Sequence, residues 1–129
     1  MLLAFLVAYL LLLTLSAGLA PRVTRGVRTA PLSRFVILIP AHNEERLLPG
    51  LFASLAAVRY PTSHYRVHVV ADNCSDRTAE VARAAGATVH ERHDTTQPGK
   101  GPALQWLVQR LQQSGEPYDA AVILDADSV

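Results

Sequence analysis

The most chemically loaded stretch of this 129-residue chain is Asp125-Ala126-Asp127, two carboxylates flanking one small residue. Residues two apart in an extended chain share a face, so both acids can aim into one crevice. Anions that close repel, and a divalent cation relieves the repulsion. Hard oxygen donors suit Mg2+ or Mn2+, with Asp127 and Asp125 as ligands. A solvated loop opening a helix is the plain alternative for an isolated Asp-x-Asp. The apolar run Ala120-Ala121-Val122-Ile123-Leu124 just before it favours the metal reading.

Asp72 ends a second apolar run, where a carboxylate can accept from a ribose hydroxyl or a base N–H. It also fits an Asx-turn or a helix cap, because Asp72-Asn73-Cys74-Ser75-Asp76 is built of turn formers, and the residues alone leave both open. His42 offers a flat ring to pack on a base, or is simply an exposed loop histidine. Asn43, Glu44 and Glu45 read as helix-capping residues rather than catalysts. Pro98-Gly99-Lys100-Gly101-Pro102 is a basic, glycine-rich entry to a helix, suited to phosphate, though a structural turn explains it equally well. It is not a Walker A loop, since Asp94 stands where the first glycine belongs and Gly101 where Ser or Thr is required. His90, Glu91, His93 and Asp94 lack distant partner ligands and do not make a zinc site. Cys74 reads as a packed thiol, and as the single cysteine it cannot form an internal disulfide, which favours a reducing compartment.

These residues need a frame, and the hydrophobic pattern supplies one. The β-branched run 35–39, ended by Pro40, predicts a strand covered on both faces. Leu47, Leu48, Leu51, Leu55 and Val58 recur at helical spacing. A strand follows through Val67, Val69 and Val70, then a helix from Ser75 or Asp76 to a stop at Gly86. Ala87-Thr88-Val89 is a short third strand, residues 101–113 a helix, and 120–124 a fourth, buried strand. The alternation is β-α-β-α-β-α-β, an α/β pattern implying a parallel sheet with right-handed crossovers. Ligands of such sheets bind beyond the carboxyl ends of the strands, where the polar clusters after strands one, two and four converge.

Residues 2–20 carry no charge. At ~1.5 Å per residue they reach about the ~30 Å of a bilayer core and predict one transmembrane anchor over 1–20. Arg22, Arg25, Arg28 and Arg34 follow without an acidic residue, so residues 21–33 read as a basic linker on the cytoplasmic side of the cell membrane. A cleaved signal peptide would want a basic start and a shorter apolar core. The formal charge of +1 gives no support for a nucleic-acid partner.

Together, Val36-Ile37-Leu38-Ile39-Pro40-Ala41-His42-Asn43-Glu44-Glu45, Val69-Val70-Ala71-Asp72-Asn73-Cys74-Ser75-Asp76-Arg77-Thr78, Gly99-Lys100-Gly101-Pro102-Ala103-Leu104 and Leu124-Asp125-Ala126-Asp127 resemble family 2 glycosyltransferases of the GT-A fold. The similarity covers about residues 34–129. It implies a Rossmann-like GT-A half-domain, the nucleotide-sugar-binding part of an inverting, metal-dependent transferase. By that resemblance Pro40, Ala41 and His42 line the nucleobase pocket, and Asp72 contacts uracil. Glu44 lies at the nucleotide, and Lys100 near the diphosphate or ribose. Asp125 faces the ribose or metal, Ala126 adjoins the donor, and Asp127 binds the metal bridging the diphosphate. Ala71 departs from the pattern, because many relatives carry a second aspartate there. The resemblance also implies a saccharide or lipid-linked acceptor and a general base beyond Val129, so the chain alone is expected to bind donor weakly and transfer negligibly.

Two other enzyme classes compete. Asp125-Ala126-Asp127-Ser128-Val129 also matches the Asp-x-Asp-x-(Thr/Val) signature of haloacid-dehalogenase-like phosphatases, but that nucleophile should follow the first strand. A dinucleotide oxidoreductase would need glycines that Pro40-Ala41-His42-Asn43-Glu44-Glu45 lacks. A non-catalytic nucleotide-binding membrane protein is the non-enzyme alternative.

Overall fold

The computed structural model describes residues 5–7, 9–12, 14 and 32–128. These fall into two units, residues 1–31 and 32–129. In the first, the described residues are helical, and Phe5, Leu6, Leu10, Leu11 and Leu12 stand exposed. Among the described residues no helix is long and apolar enough to cross a membrane. The anchor expected over 1–20 and the linker over 21–33 lie mostly outside the described residues.

The second unit is a four-stranded, wholly parallel sheet in the order β3-β2-β1-β4. Along the chain come β1 (Phe35–Ala41), α1 (Leu48–Ala56), a 3-10 turn (Thr62–His64), β2 (Tyr65–Asp72), α2 (Thr78–Ala84), β3 (Thr88–Arg92), α3 (Lys100–Ser114) and β4 (Ala120–Ile123). Alternation along β1 sends Ile37, Ile39 and Ala41 to one face, where they meet Leu48 and Leu51 of α1 and Ala82 of α2. Val36 and Leu38 go to the other, against Ala103, Leu107 and Leu111 of α3. Each leucine so buried contributes about 1.5–3 kcal/mol, and the two clusters together clamp the sheet.

This layering creates the site. The connections β1-α1-β2 and β2-α2-β3 run over one face, whereas α3 crosses to the other and returns the chain beside β1. Strand order therefore reverses between β1 and β4, the point where parallel α/β sheets leave a crevice at their carboxyl ends. Pro40 helps to open it. Leu38 accepts from the Leu124 N–H at 3.0 Å, so the even residues of β1 direct their backbone groups towards β4. The β1–β4 register ends at Leu38, and the missing N–H of Pro40 costs no ladder bond there.

Three expectations need correction. Strand β3 runs to Arg92, well past Val89, because an edge strand tolerates the polar alternation His90-Glu91-Arg92. Helix α1 begins at Leu48, with Pro49 in its first turn, and Leu47 and Val58 are exposed rather than part of its apolar stripe. Strand β4 is exposed along its length, not buried, since it forms the other edge of the described sheet, with Val122 38% and Ile123 58% exposed.

Candidate functional site

The loops after β1, β2 and β4 and the start of α3 meet at the crevice. A cavity of about 210 Å³ there is lined by Pro40, Ala41, His42, Glu44, Asp72, Asn73, Pro98, Gly99, Lys100 and Ala103. Six of the sequence-derived site residues therefore share one cavity. Asp125 joins it through an ion pair, its Oδ1 lying 2.9 Å from Lys100 Nζ. That carboxylate holds the lysine ammonium charged to higher pH than usual. Asp127 is exposed beside it.

Glu44 registers this convergence. Burial pushes its carboxyl pKa up, the Lys100 charge opposes that, and Asp127 and Asp125 push it further up. Only charges gathered at one rim act together on one carboxyl group. Glu44 Oε2 is buried with no hydrogen-bond partner among the described residues. Ala126 does not line the cavity. It is 1% exposed and packs into the α1/α2 core, which pins the turn and leaves the flanking aspartates pointing outward.

Asn43 does not cap a helix, as its place before Glu44 and Glu45 suggests it would. It takes a left-handed conformation, φ 54°, and its Oδ1 accepts from the Ser75 N–H at 2.8 Å and the Asp76 N–H at 3.3 Å. The capping chemistry is spent between loops. Glu44 N donates to Thr78 Oγ1, Glu45 N to Asp76 Oδ2, and Arg77 N to Glu45 Oε2. Asp76 answers part of the Asx-turn expectation for this segment, accepting from the Thr78 amide at 3.0 Å. Burial pushes its pKa up more than any single contact, but the Thr78 and Glu45 hydrogen bonds together outweigh it and hold the carboxyl below its usual value. His42 Nδ1 lies 2.7 Å from the Asp72 carbonyl. A carbonyl only accepts, so Nδ1 carries the proton and the exposed ring is fixed over the cavity mouth. Cys74 is half-buried, and burial raises its thiol pKa, consistent with a packed thiol rather than a nucleophile.

The residue that sequence reasoning missed is Arg92. Parallel register sets it directly opposite Asp72. Its guanidinium donates to Asp72 Oδ1 at 2.6 Å, to Asp94 Oδ2 at 2.8 Å and to the Gln97 carbonyl at 2.9 Å. Asp72 and Arg92 side chains are 6% and 5% exposed, and Asp72 Oδ2 also accepts from Gly99 N. Asp72 is thus neither a free carboxylate nor a turn former but half of a buried pair. Opposite charges at the tips of consecutive strands were the available signal, hidden because β3 was expected to end earlier. His90, Glu91, His93 and Asp94 do not gather as one set: Glu91 binds Arg83, His90 stacks on His68, and Asp94 braces the Arg92 that pairs with Asp72.

A parallel sheet with a charged crevice at its switch point defines a ligand-binding α/β domain. Solved neighbours share this fold. They include a mannosyltransferase from Pyrobaculum calidifontis in complex with GDP-Man and Mn2+, with TM-score 0.60 and 23% identity over 74% of this chain and 28% of that one. Glucosyl-3-phosphoglycerate synthase from Mycobacterium tuberculosis in complex with UDP gives TM-score 0.57 and 24% identity over 75% and 35%. Among curated proteins, 4,4'-diaponeurosporenoate glycosyltransferase of Staphylococcus haemolyticus (strain JCSC1435) is 35% identical over 70% of this chain and 23% of its own. The probable glycosyltransferase YdaM of Bacillus subtilis (strain 168) is 38% identical over 39% and 12%. The chain thus spans a quarter or less of the length of these two relatives. The family description "Glycosyl transferase family 2" matches residues 36–129, and the chain belongs to that family. A haloacid-dehalogenase-like phosphatase is set aside, because Asp125 follows β4 and forms an ion pair with Lys100.

Proposed function

We propose that this rim binds the nucleotide diphosphate of a nucleotide sugar, a UDP-sugar, and serves the leaving-group side of an inverting glycosyl transfer to a saccharide or lipid-linked acceptor. The observation that carries the reading is that Glu44, Asp72, Lys100, Asp125 and Asp127, far apart in sequence, are gathered around one crevice. At about 210 Å³ the cavity is smaller than the ~300–1,000 Å³ of complete ligand sites, which suits the nucleoside end of the donor with the sugar outside.

Pro40 and Ala41 offer a flat apolar wall to the base, His42 a fixed ring, and Asp72 an acceptor for a ring N–H. Lys100 and the backbone N–H groups opening α3 face the diphosphate. The donor chemistry also fits a hard divalent cation. Asp127 and Asp125 supply anionic oxygens, and their charges are felt at the Glu44 carboxyl. When bound, Mg2+ or Mn2+ would neutralise charge on the departing diphosphate. Asp127 would hold it, Asp125 would share its charge between cation and lysine, and Lys100 would orient the phosphates. The exposed leucines of residues 5–12 and the arginines after them support a membrane anchor with this domain on the cytoplasmic side.

Calorimetry with UDP, with and without Mn2+, tests the reading. Mn2+-dependent binding that is lost in Asp127→Ala supports it. Equal binding by both proteins, or none by either, refutes it.

A further inference from the structure

The amino ends of the strands, opposite the rim, hold a second cavity that the donor reading does not use. Phe35 opens β1 there, Tyr65, Arg66 and His68 lie on β2, Thr88 opens β3, and Glu116 follows α3. The cavity measures about 390 Å³, within the ~300–1,000 Å³ of small-molecule sites. Two polar atoms inside it have unmade bonds. The His68 side chain is 4% exposed, and its Nε2 makes no hydrogen bond among the described residues. Glu116 Oε1 is likewise buried without one. Each has a close neighbour that is out of line: Glu116 Oε2 lies 3.3 Å from His68 Nε2, and Arg66 Nε 3.1 Å from Glu116 Oε1. His68 Nδ1 lies 3.2 Å from His90 Nε2. The carboxylate beside Nε2 favours the tautomer with the proton there, and Nδ1 then accepts from His90. One cavity thus holds a spare donor, His68 Nε2–H, and a spare acceptor, Glu116 Oε1, on neighbouring side chains. Buried groups left this way cost stability that a ligand recovers.

Charge narrows the choice of ligand. Arg66 is paired with Glu116, and Arg34, also at the cavity, with Asp119 at 3.6 Å. Neither arginine is left over for a phosphate or carboxylate, and a metal ion would meet two guanidinium groups. A neutral molecule carrying hydroxyls meets neither obstacle, because one hydroxyl both accepts from Nε2–H and donates to Oε1. The half-buried rings of Phe35 and Tyr65 offer an apolar wall to the C–H groups of a ring, the mix of apolar lining and few polar groups that fixes a small ligand. Water could bridge the same two atoms, but one molecule takes up only ~30 Å³ and leaves that wall wet. We propose that this cavity is a second binding site, for a neutral saccharide ring, in which His68 and Glu116 hold one hydroxyl between them. The site shares no residue with the rim and does not depend on what the rim binds.

Amide NMR of the isotope-labelled full chain tests this, with D-glucose, D-mannose and inorganic phosphate added separately and without metal or nucleotide. Saturable shifts at Tyr65, Arg66, Thr88 and Glu116 are expected with at least one of the sugars, with a Kd on the order of 1–10 mM, and none with phosphate. His68→Phe keeps an aromatic ring but removes the donor, and should weaken that binding by about fivefold or more. No saturable shift at these amides with either sugar, up to about ten times the expected Kd, overturns the proposal whether or not the variant folds. Shifts there with phosphate alone also overturn it, as does a folded His68→Phe protein that binds the sugar as tightly as the unaltered chain. Metal-dependent UDP binding at the rim is measured separately, so either reading can fail without the other.

Discussion

The two acidic stations on the rim are held in opposite ways. Asp72 sits on β2, flanked by β1 and β3, with its side chain 6% exposed and locked by Arg92. Asp125 and Asp127 sit after an edge strand that is exposed along its length, and an ion pair there joins Asp125 to an exposed Lys100. One station is rigid before any ligand arrives and suits reading a shape. The other is wet and adjustable, and suits a hydrated cation and a diphosphate that change during a reaction. Burial decides the energetics as well, because a buried pair broken on one side is costly and an exposed pair contributes little.

The largest expected effect breaks the rigid station. Arg92→Met leaves Asp72 buried without its cation and should destabilise the domain by about 3–5 kcal/mol, read from urea unfolding. Changing both partners together, Arg92→Met with Asp72→Asn, should recover part of that loss. Next comes the clasp between the first two loops. Thr78→Val removes an acceptor for the Glu44 amide and a donor to Asp76, at a cost of about 1–3 kcal/mol.

A smaller effect is read in pH. His68 and His90 stack under α3, and burial lowers the pKa of each, with Glu116 opposing the shift at His68. The unfolded chain therefore takes up these protons first. Stability should be full above about pH 6.5, decline as pH falls towards the depressed folded values, and level off below them. Replacing His68 with Leu should flatten that slope in thermal melts across pH 5–7. The smallest effect belongs to the open station: Lys100→Gln should leave the melting midpoint unchanged and weaken diphosphate binding. A clear loss of stability in that variant would erase the contrast between the two stations.

Much of the frame was legible. The β-branched runs at 35–39 and 67–70 gave central strands, and the acids at their tips fell on one rim because parallel strands all end on the same side. What was not legible depended on partners distant in sequence. Asn43 before Glu44 and Glu45 has the signature of a helix cap, yet its oxygen is used by Ser75 and Asp76, and Pro49 starts the helix later. Nothing beside Arg92 in the sequence gives it a role; only the register of β2 and β3 sets it against Asp72. Ala126 looked like a pocket residue, whereas its small side chain is what lets the turn press into the core.

The acids at the tips of β1 and β4 are expected to form a single cation-dependent nucleotide site. Mn2+ added with UDP to the isotope-labelled full chain reports on it directly, because the paramagnetic ion broadens the NMR signals of nearby amides. Selective broadening is expected at Glu44, Lys100 and residues 125–128, with Thr88 and Tyr65 at the opposite end of the sheet untouched. Broadening centred on that opposite end, or none that depends on UDP, would contradict it.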